Sequence, residues 1–254
     1  MNDIDVSFDG AVATVTLDRP PVNAVTLAHY QRLGEIFEEL GRSTSVNCVI
    51  FTAAGTRAFC AGLDLHEFMA ATVEDDPVRA AVVRQSFARI RSCAIPVIAA
   101  VNGPALGAGA VFAAVCDVRI ASEAAKFSMP EINVGRCGGG AHLGRLVNQG
   151  ALRKMFFTGE PIDAAEALRI GLVDQVAAAD QLQQTARDLA EKIAAKSPIG
   201  LRMGKQSLNE IEGLPVEEGY QIEQGYSTRL MATEDAREAT RAVIEKRAPV
   251  FTGN

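Results

Sequence analysis

The sequence predicts a mixed α/β fold that ends in a purely helical region. Short apolar runs, alternating or continuous, are typical of strands and recur along most of the chain. Segments with helical periodicity separate them in a strand–strand–helix rhythm. From about Ser197 onward, only helix signals remain.

The first elements are a predicted hairpin and a helix. Residues 12–17 alternate between two faces, so we expect a strand there, paired with the segment around Val6 and Phe8. Arg19-Pro20-Pro21 ends this strand. Thr26 can cap a helix. The apolar face of that helix carries Leu33, Ile36, Phe37 and Leu40.

A buried strand and a small-residue turn come next. The continuous run from Cys48 to Phe51 is typical of a strand covered on both faces. The turn Phe59–Gly62 leads into a helix for which Asp64 is the expected cap; a catalytic acid is the other interpretation of Asp64. Residues 72–76 are polar and acidic, which predicts a mobile loop. A helix through Val82, Val83, Phe87 and Ile90 follows.

The stretch from Ser92 to Cys116 lacks charged residues and is long enough to cross a bilayer. Pro96 and the run Asn102-Gly103-Pro104 interrupt it, so we interpret it as a buried strand, a turn and a buried helix. The predicted strand is Pro96 to Val101 and the predicted helix is Ala105 to Val115. A strand containing Val118 and Ile120 follows. A further helix is expected from Asp163 to a C-cap at Gly171.

Helix starts at Ser197-Pro198, Leu214-Pro215 and Thr233 define the C-terminal region. We expect a core over residues 1–197 and a separate helical region over residues 198–254.

Composition narrows the functional class. The net charge of −6 disfavours nucleic acid and anionic membranes as main partners. The five cysteines form no C-x-x-C pair, which favours buried, reduced thiols in a cytoplasmic protein. The three histidines lack metal-ligand spacing, so no metal site is expected. The N-terminal residues are acidic and lack an apolar stretch, so no signal or transit peptide is expected.

Two glycine-rich segments are candidates for ligand binding. Gly103-Pro-Ala-Leu-Gly107-Ala-Gly109 lacks the third glycine of a dinucleotide fingerprint and the Lys-Ser/Thr of a P-loop. It indicates either close helix–strand packing or backbone N–H groups that face a ligand oxygen. The run Gly138-Gly139-Gly140 precedes a predicted helix around His142 to Val147, and three glycines let a helix end approach another segment or a ligand.

Glu131 follows Pro130 and precedes the three glycines. A single glutamate in a loop is usually solvated, and it becomes a candidate base only if it points into an apolar pocket. His66 and His142 are most simply surface or packing residues. No G-x-S-x-G segment supports a Ser-His-Asp triad.

The ordered set of motifs resembles the enoyl-CoA hydratase/isomerase, or crotonase, family from the first strand to the last residues. Each motif alone is weak, but the set and its order are specific. The matching segments are Leu17-Asp-Arg-Pro20 with Asn23-Ala24, Phe59–Leu65, Ile95–Gly103, Gly107-Ala-Gly109, Cys116-Asp117, Phe127–Ile132 with Gly138-Gly-Gly140, and Glu245–Phe251.

The resemblance implies a spiral of β-β-α units with a helical C-terminal region, assembled as trimers or hexamers, and an acyl-CoA thioester as substrate with no separate cofactor. It implies an oxyanion hole formed by the N–H groups of Leu63 and Ala108, and Glu131 as the catalytic acid/base. Lys246 and Phe251 match positions that reach a neighbouring subunit's CoA. The implied CoA and thioester site consists of Ala61, Gly62, Leu63, Asp64, Leu65, His66 and Val111.

Val111 is the main departure from the family pattern. Family hydratases carry two glutamates; Glu131 matches one, and Val111 occupies the place of the other. Arg136-Cys137-Gly138 likewise replaces a Pro-Gly. Hydration is well served by two carboxylates, whereas a 1,3-proton shift needs only one. We therefore expect double-bond isomerisation ahead of hydration. There are two alternatives. In one, the enzyme catalyses hydration with a water that other groups hold; in the other, the chain is a catalytically weak acyl-CoA-binding paralogue.

Overall fold

A computed structural model describes residues 3–254, and it contains two sheets. The larger sheet has six strands in the order β1-β2-β3-β4-β6-β9, and the smaller has three in the order β5-β7-β8. The strands are β1 (Ile4–Asp9), β2 (Val12–Leu17), β3 (Cys48–Ala53), β4 (Val97–Val101), β5 (Ala105–Leu106), β6 (Val118–Ser122), β7 (Lys126–Ser128), β8 (Ile162–Asp163) and β9 (Gln175–Ala177).

Eleven α-helices surround the sheets in the described part of the chain, together with a short 3-10 helix at Pro130–Val134. They are α1 (Leu27–Arg42), α2 (Leu65–Ala70), α3 (Asp76–Arg91), α4 (Ala108–Ala114), α5 (Gly140–Leu143), α6 (Gln149–Thr158), α7 (Ala164–Arg169), α8 (Leu182–Ala194), α9 (Pro198–Ile211), α10 (Val216–Met231) and α11 (Glu234–Glu245).

The apolar runs of the sequence form strands of the large sheet. β1 and β2 form an antiparallel hairpin, and every later neighbour pair is parallel. Parallel strands are covered on both faces, which explains why all residues of β3 and β4 are buried. The main core lies on one face, against α1, α3 and α4, and α8 covers the other. The predicted α/β class is confirmed.

The small sheet was not expected. The prediction of one helix from Ala105 to Val115 was wrong at its start, because Ala105 and Leu106 are extended and pair with β7. Gly107, with φ +53° and ψ −114°, turns the chain, and α4 begins only at Ala108. The helix expected from His142 to Val147 is also displaced. It is the four-residue α5, which starts at Gly140.

Buried polar groups attach the C-terminal helices to the core and to one another. Lys205 on α9 is 5% exposed, and its ammonium donates to the Ile95 carbonyl (3.0 Å) and the Asp117 carboxylate (2.7 Å). Asp235 at the start of α11 accepts from the Ser197 hydroxyl (2.7 Å) and the Thr252 N–H (2.8 Å). These bonds hold the chain's last residues against the start of α9. No helix in residues 3–254 is long and apolar enough to span a membrane.

Candidate active site

Three loop segments distant in sequence meet beside α4. Cys60 forms a parallel bridge with Ala105, in which the Leu106 N–H donates to the Cys60 carbonyl (2.9 Å). On the other side, β5 pairs with β7, and the Gly107 N–H donates to the Ser128 carbonyl (2.9 Å). The small sheet therefore fixes the loop after Cys60, the start of α4 and the loop that carries Glu131 relative to one another.

The first segment is held by side chains as well as by the bridge. Asp64 caps α2 as predicted, since its carboxylate accepts from the N–H groups of His66 and Glu67, both at 3.0 Å. Its other oxygen forms an ion pair with Arg19 (2.8 Å). The Glu67 N–H bond and Arg19 lower the pKa of Asp64. A carboxylate held ionised and bonded in this way positions the backbone and is not suited to move protons.

Asn23 connects the neighbouring loops by hydrogen bonds. It is 3% exposed, and its amide donates to the carbonyls of Ala54 (3.0 Å) and Ala58 (2.9 Å), while its Oδ1 accepts from the Arg19 N–H (2.9 Å). Its φ of +54° is tolerated better by asparagine than by most residues. The Asn-Ala pair of the sequence motif thus has a structural role below the candidate site.

Gly109 allows the first two segments to touch. A Cβ at Gly109 would overlap the carbonyl oxygen of Cys60 and lie 3.0 Å from its carbonyl carbon. Gly62 has φ +98°, and a Cβ there would lie 3.0 Å from the Leu106 carbonyl oxygen and 3.9 Å from the Ala108 nitrogen. The close approach of backbones requires glycine at both positions.

The N–H groups of Leu63 and Ala108 lie in these two touching segments. Neither donates a hydrogen bond to another group within residues 3–254, although their neighbours do: the Asp64 N–H bonds Val25 and the Gly107 N–H bonds Ser128. Both residues are partly exposed. Unpaired backbone donors on rigid, partly exposed backbone can bind a ligand oxygen.

The Glu131 carboxyl lies against the start of α4. A Cβ at Gly107 would lie 2.8 Å from Glu131 Oε1, and Glu131 Oε2 is buried without a hydrogen-bond partner in residues 3–254. Burial raises the pKa of Glu131 above its ordinary value of 4.5, and the residue's own backbone N–H only partly opposes this. The Glu131 side chain is thus partly buried, with one carboxyl oxygen shielded from solvent.

Val111 lies within the core on α4, and it is 2% exposed. Its Cγ2 would be 2.6 Å from a Cβ at Gly139, and Met129 Cε would be 2.8 Å from the same point. The glycine run thus lets the loop after Glu131 close onto Val111 and Met129.

Arg136 connects the Glu131 loop to the flanking helices. Its N–H donates to the Glu131 carbonyl (2.9 Å), its guanidinium pairs with Asp76 at the start of α3 (2.6 Å), and it lies 4.5 Å from the centroid of the Phe68 ring on α2. The sequence marked this position only as a departure from the family pattern.

The remaining predicted residues are less closely grouped. Leu65 and His66 are exposed on the first turn of α2, and Ala61 is partly exposed. Lys246, with φ +55°, ends α11, and Phe251 lies in the tail that Asp235 holds; neither is part of the loop cluster around Glu131. His142 packs edge-on against Phe87, with ring centroids 5.4 Å apart, and burial lowers its pKa.

Residues 3–254 contain no group of three or more His, Cys, Asp or Glu side chains that could hold a metal ion. Within the loop cluster, two backbone N–H groups can donate hydrogen bonds to a ligand oxygen, and the partly buried Glu131 carboxyl can exchange a proton. This combination defines an enzyme-like site.

Comparison with known proteins identifies the family. The profile described as "Enoyl-CoA hydratase/isomerase" matches residues 7–254. The chain is 35% identical to the short-chain-enoyl-CoA hydratase of Clostridium acetobutylicum, over 97% of this chain and 96% of that one. It is 37% identical to the 2,3-dehydroadipyl-CoA hydratase of Escherichia coli, over the full length of both.

The fold comparison agrees. A 1.8 Å crystal structure of an enoyl-CoA hydratase from Bacillus anthracis superposes with a TM-score of 0.96 at 32% identity, covering all of both chains. The chain belongs to the enoyl-CoA hydratase/isomerase family of enzymes and has the crotonase fold. Both the family and the fold predicted from the motifs are confirmed.

Proposed function

We propose that this enzyme acts on an acyl-CoA thioester by stabilising its enolate, with Glu131 as the only carboxylate that moves protons. The observation that carries the proposal is the Glu131 carboxyl beside the start of α4, whose Oε2 is buried without a hydrogen-bond partner in residues 3–254. The family assignment supports the thioester substrate, because the relatives compared above are named as hydratases of CoA thioesters.

In this proposal, the thioester oxygen accepts hydrogen bonds from the N–H groups of Leu63 and Ala108. The proton on the carbon next to a thioester becomes removable only when negative charge moving onto that oxygen is stabilised. Backbone donors fixed by the bridge from Cys60 to Ala105 need little reorganisation when this charge develops. Residues Ala61 to His66 and Val111 complete the CoA and thioester site.

Glu131 then carries a proton from one carbon to another. For a 3-enoyl thioester, it removes a proton from C2, the electron pair shifts through the enolate, and the same carboxyl returns the proton at C4. The double bond ends between C2 and C3. Its raised pKa suits a group that must both take and give a proton. Val111 offers no second acid, so isomerisation is the favoured reaction.

Hydration of a 2-enoyl thioester is the second candidate, and the names of the relatives favour it. Because position 111 has no carboxylate, hydration requires another group in the site to hold the water. A weak acyl-CoA-binding paralogue is the third, and the retained Glu131 disfavours it.

We also propose that residues 1–197 carry the site and that residues 198–254 form the trimerisation region. Exposed apolar side chains on α9–α11 and in the turn between α9 and α10 support this: Leu208, Leu214, Val216, Tyr220, Met231, Val243 and Ile244. In such a trimer, or a hexamer of two trimers, Lys246 and Phe251 would contact the CoA of a neighbouring subunit.

The test is a panel of 2- and 3-enoyl-CoA thioesters incubated with the purified protein. Mass spectrometry detects addition of water, and chromatography with ultraviolet absorbance detects an isomer of unchanged mass. We expect movement of the double bond between the 3- and 2-positions to be faster than addition of water. Release of free CoA, or no conversion of any thioester, would contradict the proposal.

A further inference from the structure

The chain after Glu131 is a short, glycine-rich loop in which Arg136 is the only residue with a charged side chain. Three of the five residues from 135 to 139 are glycines. A Cβ at Gly135 or at Gly138 would meet no atom within 4 Å, so the loop is loosely packed at both positions. The small sheet fixes the residues before Glu131, because β7 ends at 128, and the contacts of Arg136 fix the residues after it.

The backbone and the side chain of Arg136 make separate contacts. Its N–H donates to the Glu131 carbonyl (2.9 Å) across the left-handed Gly135 (φ +71°), which closes the turn that carries Glu131. Its guanidinium pairs with Asp76 (2.6 Å), and its Cζ lies 4.5 Å from the centroid of the Phe68 ring. A planar guanidinium that contacts both a carboxylate and a ring face holds the loop in a defined position against α2 and α3.

The ion pair of Arg136 belongs to a larger set of charges. Asp76 and Arg79 lie one turn apart on α3, and the Arg79 guanidinium pairs with Glu67 on α2 (2.7 Å). Both carboxylate oxygens of Glu67 accept from the Leu27 N–H at the start of α1, each at 3.2 Å. Opposite charges therefore alternate from the Glu131 loop through α3 to α2, and α2 is bonded in turn to α1.

Helix α2 connects these charges to the first proposed oxyanion donor. It begins at Leu65, two residues after Leu63. Its adjacent residues Glu67 and Phe68 hold it on one side to α1 and α3 and on the other to Arg136. A second connection between the donor segment and the loop of the proposed proton carrier thus runs outside the small sheet, through the side chain of Arg136.

We propose that Arg136 is a positioning residue that holds the Glu131 carboxyl at the working distance from a thioester bound by the Leu63 N–H. The proposal rests on the proposed function, in which Glu131 moves the proton and backbone donors bind the thioester oxygen. Proton transfer of this kind depends steeply on distance, and a misplacement of about 1 Å can lower turnover about a hundredfold. Arg136 acts through Asp76 and Phe68 and takes no part in the proton transfer.

The test is Arg136→Ala, with kcat measured on 3-hexenoyl-CoA and 2-hexenoyl-CoA and the dissociation constant measured with hexanoyl-CoA. The bond to the Glu131 carbonyl comes from the backbone and is kept, so the variant tests the side chain alone. We expect kcat to fall about tenfold, while the dissociation constant stays within about twofold of the wild type. The melting temperature should be nearly unchanged, because Arg136 and Asp76 are 37% and 38% exposed and such pairs contribute little to stability.

Three further variants show whether Arg136 acts through Asp76. Arg136→Lys keeps the charge without the planar group, so it should lose less kcat than Arg136→Ala. Asp76→Ala should lower kcat, and the double variant with Arg136→Ala should be no slower than Arg136→Ala alone, since the two side chains act as one unit. Arg169→Ala is the matched control. Its guanidinium pairs with Glu166 on α7 (2.6 Å) and is 71% exposed, so its loss should change neither kcat nor the dissociation constant.

Other outcomes overturn the proposal. Unchanged kcat in Arg136→Ala would show that the loop needs no such contact, and a weaker dissociation constant with unchanged kcat would show that Arg136 binds the substrate instead. A large fall in melting temperature would assign Arg136 to folding, and losses that multiply in the double variant would show that it does not act through Asp76. Glu131→Gln separates these failures from failure of the proposed function: retained turnover in that variant refutes the role of Glu131, whereas lost turnover there beside an active Arg136→Ala refutes only the role of Arg136.

Discussion

The α-carbon of Gly109 lies so close to the carbonyl of Cys60 that no side chain fits between them. A Cβ at Gly109 would overlap the Cys60 carbonyl oxygen. The same carbonyl accepts the Leu106 N–H that bridges the two loops. The relative position of the Leu63 and Ala108 N–H groups therefore depends on the absence of one methyl group.

Gly109→Ala should consequently abolish turnover. The added methyl must push the Cys60 segment away from α4, which separates the two proposed oxyanion donors. Loss of one such donor lowers turnover by about a hundredfold or more. Steady-state assays with an enoyl-CoA substrate measure the effect, and circular dichroism verifies the fold.

Gly204→Ala on α9 is the control for Gly109→Ala. A Cβ at Gly204 meets no atom within 4 Å, and alanine in a helix stabilises by about 0.5–1 kcal/mol relative to glycine. We expect full activity and an unchanged or higher melting temperature. Full activity in Gly109→Ala as well would show that the spacing of the two segments does not matter.

The pH dependence of turnover should reflect the raised pKa of Glu131. Glu131 must be ionised to remove a proton, so activity should rise with pH through a midpoint above 4.5. The Glu131 carboxyl binds its proton more tightly in the folded chain than in the unfolded chain. Its contribution to the free energy of unfolding is therefore present below the ordinary pKa and is lost as pH rises through the raised pKa of the folded state. A profile of kcat/KM against pH tests the first point. A midpoint at or below 4.5 would show that Glu131 is not the desolvated base.

Val111→Glu tests whether position 111 merely lacks an acid. Val111 is 2% exposed and packs beside Gly139 and Met129, so a carboxylate there would be buried without a partner. We expect a loss of several kcal/mol in the free energy of unfolding and no gain in hydration. Val111→Thr keeps the branched shape without a charge, and its free energy of unfolding should be closer to that of the wild type. A stable Val111→Glu enzyme with increased hydration would contradict this expectation.

The C-terminal helices should mediate assembly. Val243 and Ile244 on α11 are 79% and 75% exposed, and helices need an apolar partner for most of their stability. Light scattering at micromolar concentration should give three or six times the mass of the chain. Replacing Val243 and Ile244 together with aspartate should shift the mass towards the monomer. A monomeric wild type would refute the trimer.

The sequence predicted those parts of the fold that depend on local pattern. The strands β1 to β4 and the Asp64 cap follow from periodicity and capping chemistry, and the structure contains them. The short strands β5, β7 and β8 were missed, since two or three residues carry no periodic signal and are defined by pairing with distant segments.

The candidate site was likewise predicted only where a local motif marks it. The motifs pointed to Glu131 and to the two glycine-rich turns. The contacts of Arg136 were missed, because they depend on Phe68 of α2 and Asp76 of α3, which only the folded chain brings beside the Glu131 loop.

The most direct test of the central claim is the turnover of Glu131→Gln. Glutamine has nearly the same shape as glutamate and cannot take a proton, so turnover should fall at least about a hundredfold, while the dissociation constant for a saturated acyl-CoA stays within about twofold. Isothermal titration and a single-turnover assay on the same preparation provide both numbers. Near-wild-type turnover in Glu131→Gln would show that another group moves the proton.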